Sequence, residues 1–250
     1  MISKNKIKML RSLDTKKGRL LNKLILLEGK RLIEEVLSEK NEIRKIWFTE
    51  DFEARNLEFT KKIKKVNFEK ISNKEIKMVT GTVNPQNIIA ISEIKRGSLD
   101  NIKGNAIILD DISDPGNLGT IMRSASWFGV ENIFLSQECV DPYNSKVIRA
   151  AMGAHFRQNI VIDKLENLIN HLYSNNYKLL STDLESNNSL KDLKINKNEK
   201  WGIIFGNEAH GLSKLTKEKI KYSVKIPQIG KIESLNVAVA CGIFLYEFSK

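Results

Sequence analysis

Two segments near the C-terminus of this chain place glycine, carboxamide and small polar residues directly after a β-branched run. They read FGNEAHGLS at residues 205–213 and IPQIGKIESLNVAVA at residues 226–240, and a third segment, NLGTIMR at residues 117–123, lies upstream. Such residues build loops whose backbone can approach a small ligand closely. Because three loops that follow three strands can converge on one pocket, the sequence predicts an α/β fold with a ligand site at its loops.

The net charge of +11 is unevenly distributed along the chain. Residues 1–103 hold 24 Lys and Arg against 14 Asp and Glu, whereas residues 104–250 hold 17 against 16. A basic front half favours contact with a polyanion, and nucleic acid is the polyanion that we expect. Mutational bias is the alternative explanation, since lysine outnumbers arginine 32 to 9.

The cysteine, histidine and apolar content of the sequence limits the kinds of site and the location that we expect. Cys139 and Cys241 stand alone in their segments, and the three histidines are scattered, so the sequence favours neither a disulfide nor a metal site. We expect a reducing, cytoplasmic location. No apolar run is long enough to cross a bilayer, and no apolar stretch follows the basic N-terminus, so we expect neither a membrane partner nor a secretory signal.

The pattern of apolar runs and glycines predicts two domains. We expect a mobile basic arm at residues 1–19, a small α/β substrate-binding domain at 20–96, a linker at 97–104 and a second α/β domain at 105–250. The run at 106–109 is apolar without alternation, which is typical of a strand in a parallel sheet covered on both faces. The predicted helix at 235–248 is apolar on more than one face, so it is either core or an oligomer contact.

The common nucleotide and hydrolase signatures are missing from the sequence. No Gly-x-Gly-x-x-Gly follows a strand, no Gly-x-x-x-x-Gly-Lys-Ser/Thr occurs, and Gly116-x-x-Gly119 is typical of a plain strand-to-helix turn. No Ser, His and Asp combine into a hydrolase elbow. Any chemistry at the three loops therefore uses Arg, Asn, Glu and Ser.

Together, the three loop motifs resemble the signature motifs of the SpoU (TrmH-like) RNA ribose 2′-O-methyltransferases of the SPOUT superfamily. The resemblance is strong over residues 105–250. It extends more weakly to residues 26–35 and 84–86, which are similar to the ribosomal-protein-like substrate-binding domain of many members. The resemblance implies a C-terminal domain with a deep trefoil knot, although knots are rare in proteins. It also implies S-adenosylmethionine as cofactor and a homodimer in which the final helix packs on its partner.

The same resemblance implies roles for nine residues. The cofactor contacts would be Thr182, Gly206, Ile226 and Leu235. The residues that act on the ribose would be Asn117, Arg123, Glu208, Ser234 and Asn236. An arginine is almost always charged, so we expect Arg123 to bind a phosphate or to stabilise developing alkoxide charge, with the proton lost to a neighbouring group or water. Glu208 is either a proton acceptor or a cap of the predicted helix at 212–219.

The resemblance therefore implies methyl transfer from S-adenosylmethionine to a ribose 2′-hydroxyl of structured RNA. The ribosomal-protein-like domain favours ribosomal RNA of the large subunit, by analogy. Two alternatives stay open: a transfer-RNA ribose methyltransferase, and a non-catalytic RNA-binding factor for ribosome assembly. The sequence disfavours a nucleotide-dependent dehydrogenase because the glycine fingerprint of that class is missing.

Overall fold

The chain has 250 residues, and its computed structural model describes residues 2–38, 43–80, 82, 84–100, 102–193 and 199–249. It contains two compact units. The first comprises Met1–Lys95 and Asp141–Phe156, and the second comprises Arg96–Val140 and Arg157–Lys250. Residue 101 of the predicted linker lies outside the described residues.

The first unit is a four-stranded mixed sheet with helices on both faces. Its strands are β1 (Leu24–Glu28), β2 (Ile43–Phe48), β3 (Phe68–Lys70) and β4 (Ile88–Glu93), in the order β1-β4-β2-β3. Its helices are α1 (Lys4–Ser12), α2 (Lys16–Asn22), α3 (Lys30–Ser38), α4 (Glu50–Arg55), α5 (Leu57–Lys62), α6 (Asn73–Val79) and α8 (Ser145–Ala151). Strand β4 pairs antiparallel with β1 and β2, and β2 pairs parallel with β3.

Alternation along the strands divides the core of this unit into two layers. Ile46 and Phe48 of β2 belong to one hydrophobic cluster, with residues of α3, α4 and α5. Trp47, between them, belongs to the other cluster, with residues of α1 and α6. Successive side chains of a strand point to opposite faces, so this sheet is covered on both sides.

The N-terminal residues differ from the mobile arm that the sequence predicts for 1–19. Lys4–Ser12 form α1, and Leu10 and Leu13 are buried against Trp47. Lysines dominate the composition of this segment, yet its few apolar residues lie where they cover the sheet. Burial of these side chains stabilises the helix on the unit.

Residues 141–156 also differ from expectation, since the sequence places them in the domain at 105–250, whereas the structure groups them with the first unit. Ile148 of α8 packs into the cluster beside α3. The buried Arg19 guanidinium forms an ion pair with Asp141 and donates to the backbone carbonyls of Leu13 and Asp14. Apolar packing and a buried, hydrogen-bonded ion pair therefore hold the segment on this unit.

The second unit is a six-stranded, all-parallel sheet. Its strands are β5 (Ala106–Leu109), β6 (Asn132–Ser136), β7 (Asn159–Asp163), β8 (Lys178–Thr182), β9 (Trp201–Phe205) and β10 (Ser223–Val224), in the order β10-β8-β9-β5-β6-β7. Its helices are α7 (Pro115–Trp127), α9 (Leu165–Ser174), α10 (Lys214–Lys219) and α11 (Val237–Phe248). The predicted α/β fold with a parallel sheet is confirmed.

Helices cover both faces of this parallel sheet. Every residue of β5, β6 and β9 is buried, which is the pattern of strands that helices cover on both sides. Leu168 and Leu172 of α9 pack on one face, and Phe244 of α11 contacts Phe205 of β9 edge-on at 5.7 Å between ring centroids. Helices α7 and α11 also pack on each other. In the described part of the chain, no helix combines the length and apolarity needed to cross a membrane.

Candidate active site

The order of the parallel strands creates a crevice beside β5 and β9. From β5 the chain proceeds to β6 and β7 on one side, and from β9 it proceeds to β10 on the other. Loops that leave neighbouring strands in opposite directions open a gap at the carboxyl edge of the sheet, where open α/β folds bind ligands. The three motifs follow β5, β9 and β10, so all of them lie at this edge.

The first loop brings Asn117 into the first turn of α7. The Asp114 side chain accepts a hydrogen bond from the Asn117 N–H at 2.7 Å, and Pro115 is the first helical residue. An aspartate cap followed by proline fixes the start of a helix. This cap holds the half-buried Asn117 at the end of the loop.

The second loop is closed so tightly that its first residue must be glycine. A Cβ on Gly206 would lie 2.4 Å from the carbonyl carbon of Gly211. Asn207 and Gly211 exchange two backbone hydrogen bonds of 2.8 and 2.9 Å, and Gly211 has a φ of +68°. Glycine adopts this left-handed conformation without steric cost. The loop therefore returns on itself immediately after β9.

The third loop ends at Asn236, which caps α11. Its side-chain oxygen accepts hydrogen bonds from the backbone of Ala238 and Val239, and its Nδ2 donates to Oδ1 of Asn117 at 2.8 Å. One carboxamide thus fixes a helix start and contacts the first loop at the same time.

Glu208 joins the first and second loops. Its Oε1 accepts hydrogen bonds from Nδ2 of Asn117 at 2.9 Å and from the Asp114 N–H at 3.4 Å. Its Oε2 accepts from Oγ and the backbone N–H of Ser113. Burial raises the pKa of Glu208, but these hydrogen bonds together lower it by more than burial raises it. The pKa therefore lies below the usual value of 4.5.

One alternative predicted that Glu208 caps the helix after its loop, and this prediction is wrong. The cap of α10 is Ser213, whose side chain accepts from the Thr216 N–H. Glu208 instead accepts hydrogen bonds from residues just before α7. A negative charge is favourable there, beside the positive end of the helix dipole. Because its pKa is lowered and its oxygens are engaged, Glu208 is suited to holding loops in place.

Three further residues shape the second loop, and the sequence motifs predict no role for them. The buried Asp110 carboxylate accepts hydrogen bonds from the Ser213 N–H at 2.9 Å and the Thr216 hydroxyl at 2.6 Å. Asn207 donates to the carbonyl of Asp111, a residue with a φ of +61°. The signal was two aspartates directly after a buried strand, since polar residues there lie at the ligand edge of a parallel sheet.

The four predicted cofactor residues lie in loops or at strand ends along the same edge. Thr182 ends β8 and donates its hydroxyl to the carbonyl of Ile204 at 3.2 Å. Gly206 follows β9, and the half-buried Ile226 follows β10. Leu235 precedes α11 and is 44% exposed. The set offers backbone groups, a small hydroxyl and apolar surface, which suit a neutral adenine ring.

The remaining two predicted residues lie outside the hydrogen-bonded cluster. Arg123 is exposed on α7, about 9 Å along the helix from Asn117 and about 120° around it. Within the described ranges no hydrogen bond or ion pair engages its guanidinium. Ser234 is exposed in the third loop. The structure thus brings Asn117, Glu208 and Asn236 together, and it leaves Arg123 and Ser234 open to solvent.

Two family models match the chain. The SpoU rRNA methylase family matches residues 104–246, which include the three loops and the parallel sheet. The MRM3-like substrate binding domain matches residues 4–90, within the first unit. Among residues that the structure describes, no group of three or more His, Cys, Asp or Glu could hold a metal ion.

Individual proteins agree with the family match. A 23S rRNA (guanosine(2553)-2′-O)-methyltransferase, RlmP, of Bacillus subtilis is 32% identical over 70% of this chain and 70% of its own length. The 23S rRNA (guanosine-2′-O-)-methyltransferase RlmB of Coxiella burnetii is 34% identical over 58% of this chain and 57% of its own. The AdoMet-bound structure of an rRNA methyltransferase from Sinorhizobium meliloti superimposes with a TM-score of 0.85 and 27% identity, over 99% of this chain and 95% of that one. The resemblance seen in the motifs is confirmed: the chain belongs to the SpoU rRNA methylase family.

Proposed function

We propose that this protein transfers a methyl group from S-adenosylmethionine to a ribose 2′-hydroxyl of large-subunit ribosomal RNA. The observation that carries the proposal is the contact of three loops through Asn117, Glu208 and Asn236 at the carboxyl edge of the parallel sheet. Two curated relatives are named as 23S rRNA guanosine 2′-O-methyltransferases, which supports this substrate over transfer RNA.

S-adenosylmethionine fits the residues along this edge. At Gly206 the backbone of the loop packs so closely that no Cβ can be accommodated. Ile226 and Leu235 retain exposed apolar surface. We assign the adenosine to this cradle, with Thr182 at its border. When bound, the cofactor supplies an electrophilic methyl group on a sulfonium.

The residues of the chain then orient the hydroxyl and stabilise its charge. With the cofactor held by Thr182, Gly206, Ile226 and Leu235, the ribose oxygen would bond to the methyl carbon as the carbon–sulfur bond breaks, and the hydroxyl proton would pass to water. Arg123 stays charged, so it stabilises the developing alkoxide or binds the adjoining phosphate. Glu208, with its lowered pKa and engaged oxygens, acts as a positioning residue for Asn117. Ser234 and Asn236 orient the ribose.

Exposed apolar residues on the final helix support the proposal that the protein is a homodimer. Val239, Ile243 and Tyr246 recur at helical spacing on α11 and are 52%, 38% and 57% exposed. An exposed apolar stripe of this kind is typical of a contact with a second copy. We expect Ile243→Lys to convert the dimer to a monomer in sedimentation velocity, with Lys217→Gln, on the exposed side of α10, as an unaffected control. A monomeric parent protein would contradict this assignment.

Three further parts of the proposal rest on the family. The segment between β10 and α11 would form the trefoil knot, and the return of Asn236 to Asn117 is compatible with such a path. The first unit, Met1–Lys95 with Asp141–Phe156, would hold RNA, and the second unit would carry out the reaction. The protein would act in the cytoplasm.

Methyl transfer to separated RNA pools tests the proposed function. Purified protein is incubated with labelled S-adenosylmethionine and either ribosomal or transfer RNA, and nucleosides are identified by mass spectrometry. We expect a 2′-O-methyl nucleoside in large-subunit RNA, and much slower formation of it with the Arg123→Ala variant. Label in transfer RNA alone would overturn the substrate, and cofactor binding without transfer to either pool would favour an assembly factor.

A further inference from the structure

The positive charge of the first unit is concentrated in its first 23 residues. They hold eight Lys or Arg against one acid, Asp14, a net of +7. Residues 24–103 hold 16 against 13, a net of only +3. The first two helices therefore dominate the field of this part of the chain.

These helices form a fixed hairpin. A Cβ on Gly18 of α2 would lie 1.9 Å from the carbonyl oxygen of Ser12 at the end of α1, so only glycine permits this approach. The Thr15 side chain caps α2 by accepting from the Gly18 N–H. Buried Leu10 and Arg19 hold the two helices on the unit. The charge is thus presented on a preorganised surface, which loses less conformational entropy on binding than a mobile tail does.

Six cations of this hairpin are exposed to solvent. Lys4, Lys8 and Arg11 are exposed at positions i, i+4 and i+7, which places them within an arc of about 60° on α1. Further exposed lysines occur on and after α2. The set, here named the hairpin cationic face, comprises Lys4, Lys8, Arg11, Lys16, Lys17 and Lys23. None of them has an acidic partner within the part of the chain that the structure describes.

Cations on the sheet of the same unit are, in contrast, paired with carboxylates. Arg44 pairs with Glu93 at 2.5 Å, and Lys45 pairs with Glu69 at 2.7 Å. Lys70 pairs with Glu53 at 2.6 Å. Paired cations contribute little net field, so these strands attract a polyanion less than the hairpin does.

We propose that the hairpin cationic face binds the phosphate backbone of the RNA substrate. The inference rests on the proposed function, and it assigns the binding to a definite set of side chains. When lysine and arginine side chains contact phosphates, counterions are released from the RNA. This release supplies affinity that is independent of sequence and that falls as the salt concentration rises. The face therefore contributes to affinity and leaves the choice of nucleotide to other contacts.

Charge-matched triple variants test this assignment. The hairpin variant is Lys4→Gln/Lys8→Gln/Arg11→Gln, and the control is Lys62→Gln/Lys65→Gln/Lys74→Gln, three exposed lysines of the same unit. Affinity for a large-subunit RNA transcript is measured by filter binding from low to high salt. We expect the hairpin variant to bind at least tenfold more weakly. Its salt slope should fall by about 2–3, whereas the control should change less than twofold.

Other results would overturn the assignment. Equal losses in both triple variants would show that only total charge matters, and an unchanged hairpin variant would show that the face does not bind RNA. Leu20 and Leu21 are 50% and 80% exposed on α2. If Leu20→Ser/Leu21→Ser weakened binding while the lysine changes did not, the hairpin would serve an apolar partner. The proposed function is tested independently, by calorimetry with S-adenosylmethionine and by methyl transfer with the parent protein. Its failure can therefore be distinguished from failure of the hairpin cationic face to bind RNA.

Discussion

The two units of this protein contain charge in different settings. The first unit has a mixed sheet whose cations are paired with carboxylates, and it concentrates free cations on two N-terminal helices. The second unit has a nearly neutral sequence and a buried parallel sheet, with carboxamides and one carboxylate hydrogen-bonded at the carboxyl edge. A diffuse polyanion is attracted by free charge, whereas a small cofactor requires fixed geometry. We therefore expect affinity for RNA and the methyl-transfer reaction to depend on different residues.

The largest expected effect is that of Arg123→Ala in the second unit. Loss of the guanidinium should slow methyl transfer about 10²–10³-fold, the usual effect of removing one group that stabilises developing charge. Arg123→Lys should be only partly active, since an ammonium lacks the planar fork of the guanidinium. Single-turnover transfer at saturating RNA measures the rate, and calorimetry should show unchanged cofactor affinity. Undiminished transfer would refute the role of Arg123.

Gly206→Ala should have the next largest effect, through cofactor binding and stability. The added Cβ would meet the backbone at Gly211, so the loop must shift, and such overpacking costs about 1–3 kcal/mol. We expect weaker S-adenosylmethionine binding in calorimetry and a lower Tm. RNA affinity at fixed salt should not change, because the residue lies in the second unit. Gly230→Ala is the matched control, since a Cβ there meets nothing within 4 Å.

A smaller, pH-dependent effect is expected for Glu208→Gln. Hydrogen bonds lower the pKa of Glu208 below 4.5 in the folded state. The carboxylate thus contributes stability that is fully present above about pH 4.5 and is lost as the pH falls through the lower, folded pKa. Denaturant unfolding of parent and variant should differ at pH 7 and converge in acid. The exposed Glu138→Gln provides a control, and a parent–variant difference that grows in acid would contradict the assignment.

Buried strands of the second unit were the easiest elements to predict. The strand at 106–109 lies where its apolar run predicts it, because a continuous apolar run bounded by turn residues has few alternatives. The hairpin of the first unit was missed for the opposite reason. Lysines hide the few apolar residues of α1, and tertiary packing of Leu10 and Leu13 decides the structure.

Long-range contacts limited what could be predicted of the site. The convergence of three loops followed from motifs placed after strands, and the structure brings Asn117, Glu208 and Asn236 into contact. The role of Asp110 depends on Thr216, more than a hundred residues away, and no local pattern reveals such a pairing. The ion pair of Arg19 with Asp141 is similar, since it joins segments 122 residues apart. The roles of the nine predicted residues stay proposals.

A crystal structure with S-adenosylhomocysteine, the product of the proposed reaction, would test the account most directly. We predict the adenosine against Gly206, Ile226 and Leu235 at the carboxyl edge of the parallel sheet. Density for the ligand at the amino edge of the sheet, for example in the groove beside Tyr173 and Lys200, would contradict it.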